Sequence, residues 1–217
     1  HEVTGYKGIV ATRIIWDTYE LDPKLGFVGG GGFDFRFDQT PINFAFGGAP
    51  PDSPRWGSEY KRHLMRNFTR TLIAYGHTTS LPVSANSISL DPNVKDDWGL
   101  PALRVTYKDH EQDLRMYAWF AERSKQLLDA AGATRSWALD ASSQQFGVHL
   151  LGTCRMGNDP KTSVVDRFHR AHDVRNLFIV DGSSFVTSGR GQPTMTIQAL
   201  AFRAGEHIAR FARRGEI

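Results

Sequence analysis

Asn176-Leu177-Phe178-Ile179-Val180-Asp181-Gly182-Ser183 is followed by Ser188-Gly189-Arg190-Gly191-Gln192 and then by Pro193-Thr194-Met195-Thr196-Ile197. The first run is short and continuously apolar from Leu177 to Val180, the pattern of a strand buried on both faces. The second is a glycine-rich loop. The third opens with proline, which suits a first helical turn because its missing N–H would have no intrahelical partner there. Met195, Leu200, Ala204, Ile208 and Phe211 then form one apolar stripe, predicting a helix to about Arg213. Strand, glycine-rich loop and helix in that order make the architecture of a ligand site.

Upstream, the spacing of Leu114, Tyr117, Phe120, Leu127 and Leu128 predicts a helix from about Asp109 to Ala131, with Gly132 placed to end it. The first hundred residues read as β-rich. Phe33, Phe35 and Phe37 alternate with Asp34, Arg36 and Asp38, the period of a strand with one buried face. Residues 9–16, 42–46, 83–90 and 103–107 are further strand candidates. Gly29 to Gly32 reads as a flexible hairpin connection. Pro50, Pro51 and Pro54 keep residues 47–57 irregular and lead into a helix predicted from Ser58 to about Tyr75.

The 217 residues suffice for one large domain or two small ones with a sizeable core. The net charge of +3 is small, and Arg203, Arg210, Arg213 and Arg214 gather where they complement a helix C-terminus. No basic stripe interleaved with aromatics points to a nucleic acid. Cys154 is the single cysteine, so an intrachain disulfide and a thiolate metal cluster are both excluded. That fits a reducing compartment and favours the cytoplasm, with the periplasm left open. No apolar run reaches the length of a membrane span. The first residues, His1-Glu2-Val3-Thr4-Gly5, are no signal peptide and carry no initiator Met, as expected of a fragment, a processed product or a subunit. His169 and His172 read as a surface pair, and no metal ligand set stands out. A P-loop, a His-Glu-x-x-His pair and a G-x-S-x-G elbow are all absent.

One further stretch carries chemistry: His149-Leu150-Leu151-Gly152-Thr153-Cys154-Arg155-Met156-Gly157, followed by Val164-Val165-Asp166. Together with the 176–183 and 193–197 runs, Ala199-Leu200-Ala201, and the upstream Leu90-Asp91-Pro92, Lys95-Asp96 and Gly99-Leu100-Pro101, it closely resembles the C-terminal signature of the glucose–methanol–choline (GMC) oxidoreductases. The resemblance covers over half the chain and is loose over the first eighty residues.

It implies an α+β fold. Residues 1–165 would form a substrate-binding domain, an antiparallel sheet flanked by helices. Residues 166–217 would be the strand-loop-helix return of a Rossmann-like FAD-binding domain begun earlier in the gene. The fingerprint G-x-G-x-x-G is not in this sequence, so FAD binding is expected to need the N-terminal part of the same enzyme, in the same gene or as a separate subunit. The expected substrate is a small alcohol or sugar. His149 matches the family's histidine base, and an imidazole suits removal of a hydroxyl proton while hydride leaves carbon. Gln192 falls at the family's second catalytic position, usually His or Asn; it can hydrogen-bond a substrate hydroxyl but cannot act as a base. Cofactor contacts are expected from Asp181, Gly182, Gln192, Pro193 and Thr194, the last two at a positive helix N-terminus. Two alternatives remain open: a hydroxynitrile lyase-like enzyme with the same architecture, and a non-catalytic fragment without its FAD half.

Overall fold

The computed structural model describes residues 13–20, 22–37, 39–139 and 149–217. The chain divides into two compact units, one of residues 1–78 and 116–141, the other of residues 79–115 and 142–217.

The first unit is built on a three-stranded antiparallel sheet, with β2 (Gly31–Arg36) between β1 (Arg13–Ile15) and β3 (Ile73–Thr78). The register pairs Ile15 with Phe33, Phe33 with Gly76 and Phe35 with Ala74. The alternation therefore works as expected: Phe33 and Phe35 share one face. Phe33, Phe27, Met116 and Phe120 form the core, with the Phe33 and Phe120 ring centroids 4.8 Å apart. Phe37 lies past the strand end and is exposed. Gly76 admits the Phe120 ring, since a Cβ there would lie 3.2 Å from Phe120 Cβ and Cδ1. Two of the four consecutive glycines are strand residues rather than a hairpin connection. Gly31 and Gly32 are buried in β2, and a Cβ on Gly32 would come within 2.5 Å of the Trp16 ring.

The rest of this unit departs from the strand reading of residues 42–46. Thr40 Oγ1 accepts from Asn43 N–H at 3.2 Å and Pro41 opens the turn, giving a short helix, α1 (Pro41–Asn43), that runs on into a π-helical turn over Phe44–Gly48. A capping threonine followed by proline outweighs the β-propensity of Ile42 and Phe44. Phe44 is buried beside Phe68, with centroids 5.7 Å apart. The next helix, α2 (Gly57–Asn67), ends eight residues before Tyr75. Thr69, Thr71 and Ile73 are β-branched, and pairing with β2 draws 73–78 into the sheet.

Helix α3 (Glu111–Ala130) matches the expected span. Its buried seam is Asp113, Met116, Phe120 and Ser124, with Leu127 packed on the core, a slight rotation from the stripe read off Leu114 and Tyr117. Residues 111–115 group with the second unit and 116–130 with the first.

In the second unit, β4 (Ser87–Lys95) and β5 (Pro101–Thr106) form an antiparallel hairpin. Asp96 Oδ1 accepts from the N–H groups of Trp98 and Leu100, and Gly99 takes φ 81° to close the turn. Helix α4 (Thr194–Arg213) begins and ends where the sequence put it. Ala204 and His207 are its buried residues. Phe168 stacks on the His207 ring at 4.0 Å and Phe211 lies 4.2 Å beyond.

Residues 176–180 do not form a regular strand. They contribute one isolated bridge, Phe178 to Arg170, with the bonds from Ala171 N–H to Leu177 O and from Ile179 N–H to His169 O. Leu177 and Val180 are exposed on this chain, so the apolar run is not covered on both faces by described residues. His169 is also not a surface residue. It is 1% exposed, sits at φ 67° after the Asp166 turn, and its Nδ1 donates to Ile179 O at 2.9 Å. Its partner in the sequence, His172, bonds Ser163 Oγ through Nε2 at 2.9 Å.

Candidate active site

Residues 149–157 run beside the turn at 181–185. Cys154 N–H donates to Ser183 O at 2.9 Å and Met156 N–H to Ser184 O at 2.8 Å. Gly182 fills the narrowest point of this junction. A Cβ there would lie 2.6 Å from Leu151 Cδ2 and 3.2 Å from Ile197 Cδ1, so Leu151, Gly182 and the first turn of α4 meet. Gly152 takes φ 90°, which bends the segment where a side chain would be strained.

Asp181 opens a 3-10 turn, Gly182–Ser184, by accepting from Ser183 N–H through Oδ1 at 2.8 Å. The Ser183 side chain and amide hold its carboxyl below the ordinary range. Asp181 is exposed, so one carboxylate oxygen serves the turn while the group still faces outward. His149 and Gln192 are exposed in the same unit, the first at the start of the 149–157 segment and the second just before α4.

The N-terminus of α4 has Pro193 as its capping residue and no side-chain cap. Ile197 N–H donates to Pro193 O at 2.9 Å, which leaves the amides of Thr194, Met195 and Thr196 outside the intrahelical ladder. Uncapped amides at the positive end of a 20-residue helix suit an acceptor-rich or anionic edge. These residues fit the pyrimidine edge of a flavin, and the exposed carboxylate of Asp181 fits a ribityl or ribose hydroxyl.

Two further polar clusters escaped the sequence reading. In the first unit, Asp34 Oδ2 accepts from Arg36 Nε at 2.6 Å and from His77 Nε2 at 3.0 Å. Burial pushes this carboxyl up, but the bonds from Arg36 and His77 outweigh it and the net shift is downward. In the second, Asp113 is 1% exposed and Oδ2 accepts from Ser80 Oγ and Leu81 N–H. Burial raises its carboxyl. Nearby, Tyr107 donates to Asp109 at 2.9 Å; burial and that carboxylate push the phenol up to about 12. Partners 43 and 33 residues apart leave no local pattern to find.

Among known proteins, the GMC oxidoreductase C-terminal family model matches residues 82–201. That is more than half of the chain, and it belongs to the GMC oxidoreductase family. It is 37% identical over 207 residues to 2-methyl-1,2-propanediol dehydrogenase of Mycolicibacterium austroafricanum, covering 95% of this chain and 38% of that protein. To paromamine 6'-oxidase of Streptomyces fradiae it is 39% identical over 124 residues, 57% of this chain and 23% of that protein. To the gluconate 2-dehydrogenase flavoprotein of Pantoea cypripedii it is 28% identical over 212 residues, 94% and 34% respectively. The chain thus spans less than two fifths of the length of these relatives. Among the described residues no helix is long and apolar enough to cross a membrane, and no group of three metal-binding side chains occurs.

Proposed function

We propose that this chain is the C-terminal portion of an FAD-dependent oxidoreductase that oxidises a CH–OH group of a sugar or other alcohol. Residues 1–165 serve as its substrate-binding domain, and residues 166–217 complete a FAD-binding domain supplied by the N-terminal part of the enzyme. The observation that carries the reading is the junction at Gly182, where the His149 segment, the Asp181 turn and the start of α4 pack together.

Bound FAD supplies the hydride acceptor, at flavin N5. His149 removes the hydroxyl proton, holding it on an imidazole nitrogen as the carbinol is oxidised. Gln192 hydrogen-bonds the substrate hydroxyl and orients it, without taking a proton. The amides beyond Pro193 stabilise negative charge on the cofactor's pyrimidine edge. Asp181 would accept from sugar hydroxyls of the cofactor, and Gly182 would meet it through its backbone, the space at its Cα being taken by Leu151 and Ile197.

Purified complete enzyme should show a flavin absorption band that bleaches anaerobically on addition of a polyol. His149→Ala should slow that bleaching by roughly two to four decades, the size of a lost general base. A band that no alcohol or sugar bleaches would instead indicate lyase-type chemistry on the same scaffold. Bleaching at an unchanged rate in the variant would remove His149 from the reaction.

A further inference from the structure

The sheet of the first unit has two unlike faces. Phe33, Phe35 and Gly76 point to the core under Phe120. Gly32, Asp34 and Arg36 point the other way, in register with His77 and Tyr75. Trp16 belongs to this second face, since its ring occupies the space a Cβ on Gly32 would need. Trp16 keeps 37% and Tyr75 42% of its surface exposed, and the Arg36 guanidinium lies 5.1 Å from the Tyr75 ring centroid.

Asp34 is the buried centre of this face at 1% exposure. A carboxylate only accepts, so His77 Nε2 carries the proton in their 3.0 Å bond. In the neutral ring that leaves Nδ1 as a lone-pair acceptor. His77 keeps 23% of its side chain exposed, and Nδ1 has no partner among the described residues. Asp34 Oδ1 is sealed from solvent and also unpartnered, so no further donor draws charge from the carboxylate. Arg36, 2.5 Å from Oδ2, balances that charge and makes the cluster unsuitable for a cationic ligand. An outward acceptor on an electrically balanced base, flanked by two partly exposed aromatic rings, matches a neutral compound with O–H donors and C–H faces.

We propose that the Asp34–His77–Arg36 cluster is a hydroxyl-recognition site for a neutral diol or sugar, with His77 Nδ1 accepting a ligand O–H and Trp16 and Tyr75 flanking its carbon skeleton. The proposal rests on the alcohol-oxidoreductase reading only for the ligand's class. His77 acts in binding, and Asp34 is a positioning residue that fixes the imidazole.

The test uses the complete flavin-loaded enzyme and two probes that differ by one hydroxyl, 2-methyl-1,2-propanediol and 2-methyl-1-propanol. Binding is read by calorimetry, and anaerobic flavin bleaching is followed separately. His77→Leu should weaken diol binding roughly tenfold to a hundredfold and change the mono-alcohol less than about threefold. His77→Asn, whose amide oxygen can stand near the place of Nδ1, should recover most of the diol preference. Asp34→Asn should lose part of it while retaining an acceptor for Arg36. Equal weakening of both probes in His77→Leu, or no change in either, overturns the site, as does a wild-type protein that shows no preference for the diol. Preference for the diol without any flavin bleaching keeps the site and sinks the oxidoreductase reading; bleaching with an unaltered preference in His77→Leu does the reverse.

Discussion

Replacing Gly182 with alanine loads the junction at which the His149 segment, the Asp181 turn and α4 converge. The added Cβ would lie 2.6 Å from Leu151 Cδ2 and 3.2 Å from Ile197 Cδ1. Unstrained carbon contacts run at about 3.5–4.0 Å, so Leu151 must retreat by roughly 1 Å and Ile197 by a few tenths. Gly182 does not have a left-handed φ, which leaves packing as the source of the cost. Both obstructing atoms are the ends of flexible side chains, and this holds the cost near the low end of overpacking, about 1–2 kcal/mol. For a chain of this size the melting temperature should fall by roughly 2–8 °C. Leu151→Ala removes the nearer obstacle. The double variant Gly182→Ala/Leu151→Ala should therefore lose about 1 kcal/mol less than the sum of the single variants. Thermal or denaturant unfolding of the complete protein measures all four corners of the cycle. Strict additivity, or a Gly182→Ala protein as stable as wild type, would show that these three residues do not meet.

Three other expectations follow from individual groups. Asp34 has a folded carboxyl below its ordinary 3.8, so its contribution is present above that pH and is lost as pH falls through the folded value. The stability gap between wild type and Asp34→Asn should accordingly close on acidification, and a gap independent of pH would refute the ion-pair account. Asp113 is shifted the opposite way, above 3.8, so the folded protein holds that proton more tightly than the unfolded chain. Its stabilising effect is greatest at low pH and fades as pH rises through the folded value; Asp113→Asn should gain on wild type from acid to neutral pH in denaturant titrations, and parallel curves would contradict this. At His169, both Gly and Ala lose the bond to Ile179, but only Ala keeps a Cβ at φ 67°. His169→Ala should be the less stable by about 1 kcal/mol in chemical unfolding, and the reverse order would deny backbone strain there.

The elements most legible in the sequence were those with strong local signals. The apolar periods of α3 and α4 and the 31–36 alternation formed where their patterns fell. Residues 42–46 differ from the strand expectation because the Thr40–Pro41 start signal outweighs their β-propensity. Residues 73–75 differ from the helix expectation because helix and strand compete there, and only pairing with β2 decides between them.

By itself the sequence determined the family, the placement of His149 and Gln192 in one motif-bearing region, and the helix whose N-terminus follows Pro193. These are properties of order and spacing along the chain, which local chemistry imposes before any long-range contact forms. Tertiary structure alone decided that His169 is buried, that Leu151 and Ile197 close on Gly182, and that Asp34 joins His77 across two strands. Each of those depends on residues distant in sequence competing for one space or one hydrogen bond, and no local pattern encodes such a meeting.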